Sequence, residues 1–98
     1  MQVKIHDSYR IIVAVSDSEL IGQTFEEGLR QIEVRPHFFK GDERTKNEVV
    51  KILKDMQKED ATFNIVGEES VSAALEAGIV SPEGIIKIAN IPIALVLM

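Results

Sequence analysis

The chain has 98 residues, of which 45% are hydrophobic and 28% are charged, so it can bury one compact core but not two. It contains no cysteine and two histidines, which excludes a disulfide scaffold and thiol catalysis and leaves little for a transition-metal site. The formal net charge of −5 argues against a protein that grips nucleic acid through bulk charge.

The first third of the chain is predicted to form strands. Polar and apolar side chains alternate over residues 2–6, as in a half-buried strand, and residues 11–15 are apolar on both faces, as in the interior of a sheet. Residues 18–28 hold two glycines and are predicted to be a connecting loop with a short turn. Ile32 and Val34 alternate with polar neighbours and mark a third strand.

The clearest helix signal is a capping box, in which Thr45 and Glu48 can each bond the other's backbone N–H. Apolar residues follow on one helical face: Val49, Ile52, Leu53 and Met56. Lys51, Lys54 and Lys58 project from the opposite face. These lysines could contact RNA or an acidic partner. Acidic residues are interleaved with them, however, and an ordinary solvated helix face explains them more simply.

A strand over residues 62–66 and a second helix follow. The helix is predicted to start after Gly67 and to end at Gly78, which supplies the left-handed residue expected past a helix end. Its buried stripe is predicted to consist of Val71, Ala74 and Leu75. Small residues share the side away from that stripe: Ser70, Ala73 and Ala77. They could be covered by the chain's own loops, by a second copy or by nothing, because alanine is also the best helix former.

The C-terminal end is predicted to contain two more strands. Residues 81–84 carry proline and glycine where a type I turn favours them and lead into a strand over residues 85–88. Asn90 and Pro92 are predicted to bend the chain before a last strand over residues 93–97, which is apolar on both faces.

These elements predict an α+β fold. We expect one two-layer domain over residues 1–98, with a mixed sheet of about six strands, two main helices and a C-terminal βαβ unit whose strands are parallel. The apolar run at residues 91–98 is far shorter than the roughly 20 residues that span a bilayer, and the start lacks the apolar segment of a signal peptide. We therefore expect a cytoplasmic protein without a membrane partner.

The residues with reactive or ligating side chains form no familiar catalytic pattern. Two carboxylates, Glu68 and Glu69, follow the single glycine before the second helix, which argues against a phosphate loop there. Asp17 and Glu19 could gather around a divalent cation, but a turn or capping role explains Asp17 more simply. No Gly-x-Ser-x-Gly sequence is present. We expect no cofactor, no metal and no catalytic residue, and an enzyme is disfavoured.

Four segments resemble, in order and in spacing, the small archaeal family known as domain of unknown function 424. They are residues 17–28, 64–68, 78–83 and 91–92. The resemblance extends over essentially the whole chain and implies an archaeal, cytoplasmic, stand-alone domain with no established activity. The family pattern often places a histidine after the C-terminal proline, where this chain has Ile93. The positions that match the family motifs are Asp17, Gly22, Phe25, Gly28, Asn64, Gly67, Glu68 and Pro92.

Asn64 is the motif residue with the clearest chemical implication, because a buried amide in an apolar strand must find hydrogen-bond partners. It could brace the turn to Gly67 or the bend at Asn90. Alternatively, Asn64, Glu68 and Asn90 could form a binding site.

Three functions stay open. The favoured one is a non-enzymatic interaction domain with an unidentified protein partner, because nearly all of the chain is used to build one core; homodimerisation is possible. The alternative is association with RNA or ribonucleoprotein through Lys51, Lys54 and Lys58, which the net charge disfavours. The third is an enzyme with a small-molecule pocket near the turn at residues 64–67.

Overall fold

The structure is a computed structural model that describes residues 1–97. The alternating and capping patterns of the sequence correspond there to eight strands and three helices. In chain order these elements are β1 (Gln2–Asp7), β2 (Ile11–Ser16), β3 (Thr24–Glu27), β4 (Arg30–Glu33), α1 (Pro36–Phe39), β5 (Asp42–Glu43), α2 (Lys46–Gln57), β6 (Thr62–Val66), α3 (Glu68–Ala77), β7 (Ile85–Ile88) and β8 (Ile91–Val96). Met98, the last residue of the predicted C-terminal apolar run, lies outside the described residues.

Six of these strands form one mixed sheet in the order β5-β1-β2-β6-β8-β7. β2 and β6 are parallel, and every other neighbouring pair is antiparallel. The apolar segment predicted as an interior strand is β2, which lies between β1 and β6. The predicted α+β fold with a mixed six-stranded sheet is therefore confirmed.

The membership of this sheet differs from the sequence prediction in one strand. The predicted strand around Ile32 and Val34 is β4, which pairs with β3 in a separate two-stranded hairpin. The short β5 takes its place in the main sheet, at the edge beside β1. The prediction of a loop with a short turn over residues 18–28 is partly wrong. Residues 18–20 do form a short 3₁₀ turn, but β3 occupies Thr24–Glu27.

The C-terminal βαβ unit is confirmed with one addition. β6 and β7 run in the same direction on either side of α3, but β8 lies between them and is antiparallel to both. Ala89 and Asn90, with φ values of 51° and 66°, form the tight two-residue turn that joins β7 to β8. Strand β8 therefore begins at Ile91 and includes Pro92, whereas the sequence predicted a bend there and a strand that begins at residue 93.

One face of the sheet is covered by α2 and α3. The capping box forms as predicted: Thr45 donates its backbone N–H to Glu48 at 2.9 Å, and its hydroxyl accepts the Glu48 N–H at 3.3 Å. The buried residues of this core are Val3, Val13, Val15, Val49, Leu53, Ala61, Phe63, Ile65, Val71, Ala73, Ala74, Ala77, Ile79 and Ala94. None of the helices in residues 1–97 is long and apolar enough to cross a membrane.

The buried face of α3 is wider than predicted, and it includes the small residues of the helix. Ser70, Ala73 and Ala77 are buried, whereas Leu75 is 37% exposed. The reason is that α3 contacts both the sheet and α2, and small side chains let two helices approach closely. Of the alternatives for Ser70, Ala73 and Ala77, the structure shows cover by the chain itself, so these three residues do not offer a surface to a second copy.

The other face of the sheet is only partly covered. Helix α1 lies against β1 and β2, and the β3–β4 hairpin contacts β7. The buried residues of this second, smaller core are Ala14, Val34, Phe39, Val66, Ile88 and Ile93. Beyond this cover, Ile86 and Leu95 remain 47% and 56% exposed.

Candidate functional site

The motif residue Asp17 is buried. It directly follows β2 in the chain, and in space it lies at the start of α3. Its carboxylate accepts hydrogen bonds from the Glu69 N–H at 3.2 Å, the Ser70 N–H at 2.8 Å and the Ser70 hydroxyl at 2.7 Å. The residue at the helix start, Gly67, has no side chain with which to cap α3. Asp17 therefore caps the helix from a distant part of the chain.

Gly67 fits the space beside this carboxylate because it lacks a side chain. A Cβ on Gly67 would lie 2.3 Å from Cγ of Asp17, and its φ of 110° is a conformation that other residues rarely adopt. Its N–H donates to the Pro92 carbonyl at 2.9 Å, and the Asp17 N–H donates to the Val66 carbonyl at 3.1 Å. The structure thus brings together three motif residues, Asp17, Gly67 and Pro92, in a structural junction.

The motif glycines near the N-terminus have structural positions of their own. Gly22 has a φ of 90° and donates its N–H to the Val34 carbonyl at 2.7 Å, which ties the hairpin base to the preceding turn. Gly28 has a φ of 63° in the turn of the β3–β4 hairpin. Phe25 of that hairpin packs against the second core.

Glu68 lines an open cleft of about 420 Å³ between the N-terminal ends of α2 and α3. The lining residues are Met1, Arg44, Thr45, Lys46, Glu68, Glu69 and Ser72. Lys46 donates to the Ser72 hydroxyl at 2.9 Å and lies 3.6 Å from the Glu76 carboxylate. Beside this cleft, contact with the Met1 amino group, aided by the Ser18 hydroxyl, lowers the pKa of Glu43.

The hypothetical site of Asn64, Glu68 and Asn90 is not assembled. Asn64 lies within β6, opposite Leu95 of β8, whereas Asn90 lies in the β7–β8 turn. Neither of these residues lines the cleft that contains Glu68. Asn64 therefore neither braces Gly67 nor reaches Asn90 by a hydrogen bond in residues 1–97.

Asn64 lies instead on the uncovered part of the sheet. Strand register places it on one face with Ala14 and Leu95, and the same face carries Thr62 and Ile12. Ile86 joins this face through its pairing with Ile93. We call the uncovered surface formed by Ile12, Thr62, Asn64, Ile86 and Leu95 the open sheet face.

The sequence matches a known protein family over nearly its whole length. The family model described as "Protein of unknown function (DUF424)" matches residues 5–98. The chain belongs to this family. An uncharacterized conserved protein from Methanopyrus kandleri has a similar crystal structure, with 19% sequence identity, a TM-score of 0.83, and coverage of 99% of this chain and 92% of that chain. At this identity the likeness shows the fold. None of the curated proteins matches the chain.

The lysine face of this DUF424 protein is solvent-exposed, as the helical spacing predicts. Lys51 and Lys54 are exposed on α2, and Lys58 is exposed at the C-terminal cap of this helix. Lys51 pairs with Asp55 at 3.1 Å, whereas Lys54 and Lys58 form no ion pair with any of residues 1–97. Two unpaired cations thus remain on a helix that is otherwise interleaved with acids.

The histidine and acidic residues do not gather around a metal position. In the part of the chain that the structure describes, no group of three potential ligands could hold a metal ion. His6 stacks on the Phe38 ring with centroids 4.7 Å apart, and its Nε2 lies 2.9 Å from the Phe38 carbonyl. His6 therefore contacts α1.

Sequence reasoning missed the residues that make the open sheet face of the DUF424 protein apolar. Leu95 belongs to a strand with a continuous apolar run, which predicts burial on both sides, and Ile86 belongs to a strand that is apolar except for Lys87. In the structure, α3 covers only one face of the sheet at these positions, and the other face is exposed. Sequence reasoning also missed Ser70 as the partner of Asp17, because 53 residues separate them.

Proposed function

We propose that this DUF424 protein is a non-enzymatic, cytoplasmic interaction domain that binds a protein partner through the open sheet face. The observation that carries the proposal is the exposure of Ile86 and Leu95 on a sheet face whose remaining part is buried under α1 and the hairpin. Contiguous exposed apolar surface on a soluble domain marks interaction sites more often than scattered exposed side chains do.

The composition of the open sheet face supports a protein as the partner. None of its five residues is charged, in a chain of which 28% is charged. Depletion of charge at the centre of a surface patch is typical of protein interfaces, where the rim carries the polar groups. Leu97, just beyond β8, is also 72% exposed.

The enzyme alternative finds less support. It requires a polar pocket near Asn64 and Gly67, but Gly67 is packed against Asp17 and Asn64 faces outward beside Leu95. The cleft at Glu68 lies elsewhere, and its Lys46 ammonium is already engaged by Ser72 and Glu76. Convergent polar groups in a shaped cavity are what a small-molecule site needs.

Affinity capture with matched variants tests the proposal. Tagged wild-type protein, L95K and K54E are each expressed in the cells of origin, and the captured proteins are quantified after nuclease treatment. Leu95 and Lys54 are both exposed, so each substitution should leave the fold intact, which circular dichroism checks. We expect a nuclease-resistant protein partner that K54E retains and L95K loses at least about tenfold.

Equal recovery of the same partners by wild type and L95K would show that the open sheet face is not the binding surface. Loss of every partner on nuclease treatment would point to nucleic acid as the bridge and would overturn a protein partner.

A second candidate function is RNA or ribonucleoprotein binding through the lysine face. The unpaired ammonium groups of Lys54 and Lys58 favour it. When these lysines bind phosphates, the counterions held by the RNA are released, so the affinity should fall as the salt concentration rises. We expect the K54E/K58E double variant to abolish RNA retention in a filter-binding titration, with L95K as the matched control. RNA binding that is insensitive to salt, or that survives the double variant, would contradict this mechanism.

A further inference from the structure

We infer that the outer edge of β1 binds an extended segment of a partner protein, which joins the main sheet as an additional strand. The segment carries an aliphatic side chain and a basic side chain two residues apart. This inference goes beyond the proposed function, because it concerns the edge of the sheet on the side of α2 and not the open sheet face.

Part of the outer edge of β1 has unpaired backbone groups. β5 is two residues long and pairs only with the first two residues of β1. The Arg44 N–H donates to the Met1 carbonyl at 2.8 Å, so the backbone groups of Met1 point away from β2. Alternate residues of a strand point their backbone groups the same way, so those of Ile5 and Asp7 also point outward. Within residues 1–97, no backbone hydrogen bond reaches them on that side.

A groove of about 320 Å³ follows this edge on the side of α2. Its apolar lining includes Val3 and Ile5 of β1 and Ile52 of α2. The Ile5 side chain is 46% exposed. The Arg44 guanidinium in the lining is already paired with Asp42 at 3.4 Å. The groove therefore offers apolar contacts to one side chain of an added strand.

The two edges of the main sheet differ in how they discourage a further strand. β7, at the opposite edge, carries an exposed Lys87, and charged side chains of this kind prevent pairing at natural edges. The lysine of β1 has another contact, because Lys4 Nζ donates to the His37 carbonyl of α1 at 3.0 Å. Ile5, beside the unpaired backbone groups, is apolar. The edge of β1 is therefore the more receptive of the two.

The side chains along the free edge define the chemistry of the segment. Ile5 and Asp7 point to the same face of β1, because they are two residues apart. Asp7 is exposed and forms no ion pair with any of residues 1–97. Neighbouring side chains on adjacent strands interact directly, and opposite charges stabilise the pairing. An aliphatic side chain beside Ile5 and a Lys or Arg beside Asp7 match this edge, while main-chain hydrogen bonds hold the segment in place.

A second copy of the chain fits this edge poorly. In antiparallel registers that pair Ile5 with Ile5 or Asp7 of the copy, the copy's β1 or its following turn would continue into the position of β5. The register that pairs the two Asp7 residues avoids β5 but places like charges opposite each other, which is destabilising. The segment is therefore assigned to a different protein.

Selection of binding peptides on purified protein tests the inference. A phage-displayed library of random linear peptides is panned on the wild type, and the enriched peptides are synthesised. We expect them to share an aliphatic residue and a Lys or Arg two residues apart. I5K, which places a charge in the groove, should raise their Kd at least about tenfold. L29K, in the exposed turn of the β3–β4 hairpin, is the matched control and should bind as wild type does.

A charge exchange tests the contact with Asp7. D7K should raise the Kd of the selected peptides at least about threefold, because two positive charges then face each other. Replacement of the basic peptide residue by Glu should restore the affinity for D7K and lower it for wild type. Asp7 is exposed, so D7K should fold normally, which circular dichroism checks.

Hydrogen exchange measured by NMR locates the bound peptide. In the free protein, the N–H groups of Lys4 and His6 face β2 and should exchange slowly, whereas those of Ile5 and Asp7 should exchange rapidly. The bound peptide should slow the exchange of Ile5 and Asp7 and leave that of Lys4 and His6 unchanged.

Three results would overturn the inference: no enriched peptide, equal affinity of the peptides for wild type, I5K and D7K, or rapid exchange of Ile5 and Asp7 in the complex. A wild type that dimerises in sedimentation equilibrium while I5K stays monomeric would assign the edge to a second copy and would also contradict it. If I5K does not fold, the charge exchange at D7K decides. The proposed function fails separately, when L95K leaves the capture of partners unchanged.

Discussion

The carboxylate of Asp17 accepts hydrogen bonds from both the N–H and the hydroxyl of Ser70, 53 residues later in the chain. This pair connects the end of β2 to the first turn of α3, because Asp17 directly follows β2. It also places a negative charge at the positive end of the helix dipole. A family-motif acid therefore has a clear structural role at a helix start, where a phosphate could otherwise bind.

Removal of the Asp17 carboxylate should destabilise the protein. D17A leaves the first-turn N–H groups of Glu69 and Ser70 without their acceptor in a buried position, which should cost about 2–4 kcal/mol of unfolding free energy. D17N keeps one oxygen acceptor and should lose less. Urea unfolding followed by circular dichroism measures both. The exposed D7A serves as control and should change stability by about 0.5 kcal/mol or less; equal losses for D7A and D17A would refute the capping role.

Gly67 and Gly78 separate the effect of crowding from that of backbone strain. G78A meets open space at a φ of 77°, so only left-handed strain of about 1–2 kcal/mol is expected. G67A combines strain at a φ of 110° with a Cβ 2.3 Å from Cγ of Asp17 and should cost about 3 kcal/mol or more. Unfolding free energies from the same urea titrations decide the order. A smaller loss for G67A than for G78A would contradict the close contact with Asp17.

The packing of α3 predicts opposite outcomes for two neighbouring positions. Ala73 is fully buried between the layers, so A73L should overpack the interior and cost about 1–3 kcal/mol. Leu75 is 37% exposed, so L75A should cost about 1 kcal/mol or less. Thermal unfolding of both variants checks this order. If L75A were the more harmful, the face predicted from hydrophobic spacing would be the buried one after all.

The face of α3 shows what the sequence could not determine. Hydrophobic spacing places Val71, Ala74 and Leu75 on one stripe, and two of these three are indeed buried. Alanine and serine suit either environment, so their positions carry little signal. That Ala73 and Ser70 face inward depends on tertiary contacts, of α3 with α2 and of Ser70 with Asp17, which the spacing along one helix does not encode.

In the candidate site, too, local sequence patterns predicted some features, whereas others depend on contacts between distant segments. Local signals correctly predicted the capping box at Thr45, the left-handed Gly78 and the central strand β2. The partner of Asp17 could not be predicted, because an acid after a strand is equally typical of a local turn and of a cap on a distant helix. The exposure of Leu95 depends on how far α1 and the hairpin extend over the sheet, which no local pattern encodes.

The capping box at α2 predicts a dependence of stability on pH. The Thr45 backbone N–H, and then its hydroxyl, lower the pKa of Glu48 below its ordinary value of 4.5, with the Arg44 charge acting in the same direction. The stabilising effect is therefore fully present above pH 4.5 and is lost as the pH falls through the lowered folded-state pKa. E48Q keeps a capping side chain without the charge. The difference in Tm between wild type and E48Q should shrink below pH 4.5, and a difference that grows there would contradict the stated sign.

The central claim, that the open sheet face is the interaction surface, is tested most directly by site-specific photo-crosslinking in living cells. A photoreactive amino acid is introduced in place of Leu95 in one protein and of Lys58 in another, since both positions are exposed on opposite layers of the fold. We predict protein adducts from position 95 that persist after nuclease treatment, and few from position 58. Adducts that form only from position 58 and carry nucleotides would contradict the claim.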